Sequence, residues 1–164
     1  MRQLLLLGAL ACAGLAGCQG YDFTVNDKVV YRAPTAFVDF NVGDPALAAC
    51  IEQTIADQDI TQVEQLVALN CSHAGIASLA GIEVFKGLAA LRLSANQIVD
   101  VQPLARLPAL LELYLADNQV ENAGPLLQLE KLRHLDLSGN TSLACPAAAG
   151  KGGVAVLLLP DHCL

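Results

Sequence analysis

The chain has no tryptophan, one methionine (Met1), and only three tyrosines and four phenylalanines among 164 residues. That poverty excludes an aromatic-lined cleft and the stacking platform that single-stranded nucleic acid needs. Positive charge is scarce too. Nine Lys and Arg face sixteen Asp and Glu, for a formal charge of −7, which argues against nucleic acid and against electrostatic docking on anionic lipid. The histidines His73, His134 and His162 are dispersed, and no HExxH, GxSxG, P-loop or CxxC pattern occurs. Asp57 and Asp59 read as a solvated turn rather than a paired-carboxylate site. No catalytic residue, metal ligand or cofactor is therefore expected.

What is present is leucine, and it recurs. Written in rows of twenty-two residues, Leu66, Leu88, Leu110 and Leu132 form one column, and Leu69, Leu91, Leu113 and Leu135 another. Cys71, Leu93, Leu115 and Leu137 follow, then Ala74, Asn96, Asn118 and Asn140. Ile76, Ile98 and Val120 stand further along, as do Leu79, Val101 and Ala123. Ile82, Leu104 and Leu126 make a further column, and Phe85, Leu107 and Leu129 the last. Alternation within each row turns Leu91 and Leu93 to one side and Ala90, Arg92 and Ser94 to the other. Each row thus supplies one short strand, and stacked rows supply a parallel sheet with strands about 4.8 Å apart. The Asn column is polar yet set among core positions, so Asn96, Asn118 and Asn140 are expected to bond turn backbone between rows. Pro103 and Pro125 argue against a regular helix in the return segments and for extended or 3₁₀ turns. A row buries about eight apolar side chains, at roughly 1.5–3 kcal/mol each, against a backbone entropy cost of about 1–2 kcal/mol for each of its residues. Rows must therefore stack, and both ends must be capped.

The rows LAALRLSANQIVDVQPLARL and LLELYLADNQVENAGPLLQL resemble the short bacterial leucine-rich repeat of the internalin-like type. The resemblance runs from about residue 38 to 145. It implies an α/β leucine-rich-repeat solenoid with a short parallel β-sheet on the concave face, 3₁₀ or extended convex segments and a small helical N-terminal cap. It says little about function, because such repeats are a scaffold for many partners.

The remaining segments read in order. Residues 1–17 form a leader. Arg2 gives a positive start, and Leu4 to Leu15 is an uncharged run too short to span a bilayer comfortably. Leu15-Ala16-Gly17-Cys18 resembles the bacterial lipobox, which implies cleavage before Cys18, acylation of its thiol and three acyl chains on the mature terminus. The alternatives are an ordinary secretory leader or an uncleaved anchor. Gln19, rather than Asp, after the acylated cysteine points by the enterobacterial sorting rule to the outer membrane, facing the periplasm. Residues 18–37 are a tether, about 60 Å long if fully extended. Within it, Phe23-Thr24-Val25 and Lys28-Val29-Val30-Tyr31 read as two short β segments around Asn26-Asp27, or as solvated chain. Residues 38–65 turn helical. Asp44-Pro45 has the form of a helix start, and Leu47, Cys50, Ile51 and Ile55 recur at helical spacing. This segment is similar to the internalin-like N-terminal cap. Four repeats occupy 66–144. After Asn140 the columns fail, and residues 145–164, with the apolar Val154 to Leu159, read as a C-terminal cap.

Six cysteines then divide without remainder. Cys12 leaves with the leader and Cys18 takes the lipid, leaving Cys50, Cys71, Cys145 and Cys163. Export permits disulfides. Four cysteines allow three connectivities, and pairing other than Cys50–Cys71 and Cys145–Cys163 must cross the length of the solenoid, too far for a bridge. Cys71 as a plain core residue is the alternative. His162 beside Cys163 has the makings of a Cys–His pair, but a disulfide would consume that thiol.

The outward strand positions are left to carry function. They are Ala68, Asn70 and Ser72; Ala90, Arg92 and Ser94; Glu112, Tyr114 and Ala116; and His134, Asp136 and Ser138, with His73 and Asp117 at the rim. Asn70, Arg92, Tyr114 and Asp136 make a mixed polar stripe flanked by Glu112 and His134, and Arg and Tyr are enriched at interface hot spots. An ordinary solvated sheet face is the alternative. The composite expectation is a lipid-anchored envelope protein that binds another protein, of unknown identity, through this face. A passive structural envelope lipoprotein is the competing reading, and an enzyme is disfavoured for want of room for a catalytic domain.

Overall fold

The computed structural model describes residues 22–25, 28–32, 37, 39–146 and 153–164. The leader and the lipobox at Cys18 lie outside the described residues. Two compact units divide the chain after residue 35. In the first, β1 (Asp22–Val25) and β2 (Lys28–Arg32) pair antiparallel, with Phe23 opposite Tyr31 and Val25 opposite Lys28. Those nine residues are paired strand rather than solvated chain.

The second unit is a solenoid. Its sheet has five parallel strands, β3 (Ala68–Asn70), β4 (Ala90–Arg92), β5 (Glu112–Tyr114), β6 (His134–Asp136) and β7 (Val156–Leu158), stacked in chain order. Register is uninterrupted: Leu69 pairs with Leu91, Leu91 with Leu113, Leu113 with Leu135 and Leu135 with Leu157. The return segments contain short 3₁₀ turns at Ile82–Val84, Gln102–Arg106 and Leu126–Gln128. Proline occupies the first turn of Gln102–Arg106 and precedes Leu126–Gln128, where a missing N–H costs no helical bond. The leucine columns, with Ile76, Ile98, Val120 and Phe85, are fully buried and make one continuous core.

The asparagine column explains how a row is tied to the one before it. Asn118 Oδ1 accepts from the Ile98 N–H at 3.0 Å. Its amide N–H groups donate to Leu93 O at 2.9 Å, Leu115 O at 3.1 Å and Ala116 O at 3.2 Å. Asn96 makes the same set one row earlier, to Ile76 N–H, Cys71 O, Leu93 O and Ser94 O. Asn140 repeats it toward Val120 N–H, Leu115 O, Leu137 O and Ser138 O. Each side chain reaches back to the preceding row, so the first row, which follows no other, has nothing to bond. Ala74 stands there instead of Asn. The residue before each column position has a left-handed backbone: His73, Ala95, Asp117 and Gly139 all have positive φ. At Gly139 a Cβ would also meet the Asp117 carboxylate, which would have to swing aside.

The N-terminal cap is the helix α1 (Pro45–Asp57), with Asp44 as N-cap and Leu47, Ile51 and Ile55 buried against the first row. Asp44 does more than start the helix. One carboxylate oxygen accepts from the N–H groups of Ala46 and Leu47, at 2.9 and 3.1 Å, and the other from Ala77 and Ser78 in the first return segment, at 2.9 and 3.0 Å. Phe37 and Phe40 complete this end, with the Phe40 ring edge-on to Phe85 at 5.5 Å between centroids. Gly81 takes φ of 96°, and a side chain there would overlap the Asn41 carbonyl, so the cap can seat only on a glycine.

At the other end, the strand columns continue further than the sequence pattern shows. Leu157 occupies the same column as Leu135, and β7 closes the sheet from within the C-terminal cap. What fails after Asn140 is the turn and return pattern, not the strand. Arg133 holds the incoming segment, donating to Gly153 O at 3.0 Å and Glu130 O at 3.1 Å.

Both disulfides are local. Cys50–Cys71 joins α1 to the turn after β3, and Cys145–Cys163 joins the last turn to the chain end, with Cα separations of 5.9 and 5.4 Å. They close 21 and 18 residues, so loop entropy alone assigns each about 3 kcal/mol of stability. Non-reducing peptide mapping of exported protein should recover these two linkages. Replacing both cysteines of either pair by alanine should shift urea unfolding by about that amount, and four free thiols in exported material would contradict the assignment.

Candidate concave interaction face

Strand alternation puts Leu69, Leu91, Leu113 and Leu135 into the core and leaves the flanking positions outward. Parallel register then aligns the outward residues into rows across the sheet. Ala68, Ala90, Glu112, His134 and Val156 make one, and Asn70, Arg92, Tyr114, Asp136 and Leu158 the other. With strands about 4.8 Å apart, five strands give a face about 19 Å long.

Within that face three side chains stack. The Arg92 guanidinium lies over the Tyr114 ring, 5.2 Å from its centroid. Tyr114 in turn meets the His134 imidazole at 4.7 Å between centroids, tilted by 32°. The diagonal from Tyr114 to His134 is the close neighbour relation that large flat side chains on adjacent strands exploit. Tyr114 and His134 are half-buried as a result, while Arg92 stays exposed. His134 Nε2 is buried and finds no hydrogen-bond partner among the described residues. The Tyr114 hydroxyl donates to Glu112 Oε2 at 3.4 Å. Asp136 Oδ1 accepts from the Ser138 N–H at 3.0 Å and from its hydroxyl at 2.6 Å, and Asn70 Oδ1 accepts from the Ser72 N–H at 3.3 Å. Arg92, Glu112, Tyr114, His134 and Asp136 thus come together in one cluster. Asn70 lies at its margin on the exposed edge strand β3, engaged with its own turn. The buried asparagines Asn96, Asn118 and Asn140 stand apart, as structure.

Two residues join the face that the sequence pattern did not offer. Val156 and Leu158 are each 44% exposed, beside His134 and Asp136 respectively. Their signal was the same offset of twenty-two positions from His134 and Asp136, hidden because the turn motif that frames the other rows is missing after Asn140. They turn a polar stripe with one aromatic into a graded face, with a cation and carboxylates at its middle and an aliphatic pair at its C-terminal end.

Comparison with known proteins agrees with this geometry. A family model for leucine-rich repeats, in two copies, matches residues 108–145. The fold is a leucine-rich-repeat solenoid. Among solved structures, an internalin (inlF) from Listeria monocytogenes is 31% identical, with a TM-score of 0.54 over 58% of this chain and 30% of its own. Internalin C2 from the same species is 28% identical, with a TM-score of 0.61 over 70% of this chain and 53% of its own. This leucine-rich-repeat chain therefore spans between about a third and about half of the length of the two internalins. No curated protein matches it. Leucine-rich-repeat solenoids of this kind typically serve as interaction scaffolds.

Proposed function

We propose that this leucine-rich-repeat protein is anchored by lipid at Cys18 in the bacterial envelope, at the outer membrane facing the periplasm, and captures another protein on its concave face. The observation that carries the binding reading is the Arg92–Tyr114–His134 stack. It presents the residue types that dominate hot spots, already held in place, so little side-chain entropy is lost on docking. Val156 and Leu158 add exposed apolar area at the C-terminal end of the same face. The lipid anchor is supported by Leu15-Ala16-Gly17-Cys18 behind an apolar run, and by two disulfides that suit an exported compartment.

A photo-cross-linking residue placed at 114 in intact cells should trap a protein adduct, whereas the same residue at the convex position 102 should not. Arg92→Glu, at an exposed position, should lower stability by no more than the lost cation–π contact, about 0.5–1 kcal/mol, and weaken capture at least tenfold, about 1.4 kcal/mol. Tyr114→Ala should weaken it similarly, at a stability cost of about 1 kcal/mol for the lost stacking. Retained capture in both variants sinks the concave-face reading. For the anchor, intact mass should correspond to a chain beginning at acylated Cys18, and Cys18→Ser should release the protein from membranes. A mature chain with an unmodified thiol at that position overturns it.

A further inference from the structure

The C-terminal cap brings Cys145, His162 and Cys163 together, with one donor atom from each within 4.8 Å of the others. We propose that this cap is a redox-gated zinc site. Oxidised, its two sulfurs bond each other; reduced, the two thiolates and the His162 imidazole take one Zn²⁺, with the fourth position open to solvent.

The geometry rests on more than the disulfide. On one side, the Leu143 N–H donates to Asn140 O at 3.1 Å and the Ala144 N–H to Glu121 O at 2.8 Å, while Leu143 is buried in the core. These contacts fix the backbone entering Cys145 to the last row. On the other side, Pro160 is buried and a 3₁₀ turn, Asp161–Cys163, closes with the Cys163 N–H on Pro160 O at 2.9 Å. The two sides are tied by the His162 ring, whose Nε2 lies 2.9 Å from Leu143 O. A carbonyl oxygen only accepts, so Nε2 carries the proton and Nδ1 keeps its lone pair for a metal. Metal-binding histidines are oriented in this way, the second ring N–H donated to a backbone carbonyl. Two thiolates and an imidazole are the donors that zinc prefers, at about 2.3 and 2.0–2.1 Å, and donors within 4.8 Å of each other can meet one ion after small movements. Cys145 and His162 are exposed, and an open cleft of about 400 Å³, lined by Gly139, Thr141, Pro160, Asp161 and His162, gives an entry path.

The chemistry balances. A donor dithiol reduces the Cys145–Cys163 bond, giving two thiols here and a disulfide on the donor. In vitro a phosphine does the same, with water supplying the oxygen of the phosphine oxide and the two protons. Zn²⁺ then displaces one proton from each thiol, so affinity rises with pH. This inference is independent of the concave face and of the lipid anchor.

The test uses the full chain in detergent, with Co²⁺ as the spectroscopic stand-in and Zn²⁺ as competitor. Oxidised protein should give no thiolate-to-cobalt charge-transfer band. After phosphine treatment and anaerobic removal of the reagent, one Co²⁺ should bind with the visible spectrum of a tetrahedral thiolate site, and Zn²⁺ should bleach it. Cys145→Ser should abolish that spectrum. His162→Ala, which leaves the oxidised disulfide intact, should weaken binding at least tenfold and shift the visible bands. Equal binding by wild type and Cys145→Ser places the metal on other thiols and overturns the proposal. So does absence of binding in reduced wild type, whether circular dichroism shows the solenoid folded or unfolded, because the site needs the folded cap.

Discussion

Replacing Asn118 by alanine should lower the stability of the solenoid by about 1–3 kcal/mol, while Asn70→Ala at the surface should change it by less than about 0.5 kcal/mol. The difference comes from what each amide leaves behind. Removing the Asn118 side chain orphans the Ile98 N–H and takes one bond each from the carbonyls of Leu93, Leu115 and Ala116. The bonds to Ile98, Leu93 and Leu115 are buried between rows, and an unpaired buried group costs about 1–3 kcal/mol. Asn70 bonds only the Ser72 N–H, at the surface, where water can take over. Urea unfolding with the disulfides intact would measure both. A loss below 1 kcal/mol in Asn118→Ala would mean that water replaces the ladder.

Asp44→Ala should cost more, about 3–5 kcal/mol, and should also reduce the acid sensitivity of the fold. Four backbone N–H groups lose their acceptor at once, two in the first turn of α1 and two in the first return segment. Burial by itself pushes the Asp44 carboxyl up, but the four N–H bonds outweigh it and hold it below 3.8. A carboxyl whose folded-state value lies below its unfolded one contributes stability that is complete above the unfolded value and is lost as pH falls through the folded one. Wild type should therefore lose stability as pH falls below the range where an ordinary carboxyl titrates, because there the unfolded chain binds a proton that folded Asp44 does not yet take. Asp44→Ala should show a shallower slope over the same window, and parallel slopes would show that other carboxylates carry the acid response. Amide exchange at Ala77 and Ser78 offers a local readout, since both should lose protection in the variant.

These two residues were legible to different degrees. The Asn column appears directly in the sequence, because a polar residue at fixed offset inside an apolar pattern survives only when its hydrogen bonds are met. That each amide serves the row behind it also accounts for Ala74, the one departure from the column. For Asp44 the sequence offers an N-cap before proline and no more. Its bonds to Ala77 and Ser78 lie 33 and 34 positions away, outside any period.

The concave face divides in the same manner. Strand alternation alone names Arg92, Tyr114, His134 and Asp136 as outward. That Arg92, Tyr114 and His134 stack into one unit, with Tyr114 and His134 half-buried, depends on side-chain torsions that periodicity does not specify. Val156 and Leu158 escaped because a strand without its turn looks like any apolar run. Only pairing with β6 turns them outward.

The sequence by itself determined the row, its strand, its Asn ladder and the outward residue of every column, because neighbours in a solenoid sit at a constant offset and a constant offset is visible in one dimension. Tertiary structure decided what happens at the ends. The carboxylate that clamps the helix to the first row, the fifth strand and the convergence of Cys145, His162 and Cys163 all depend on where an irregular segment folds back. That path is set by closure onto the terminal rows, and a contact made once leaves no period to read.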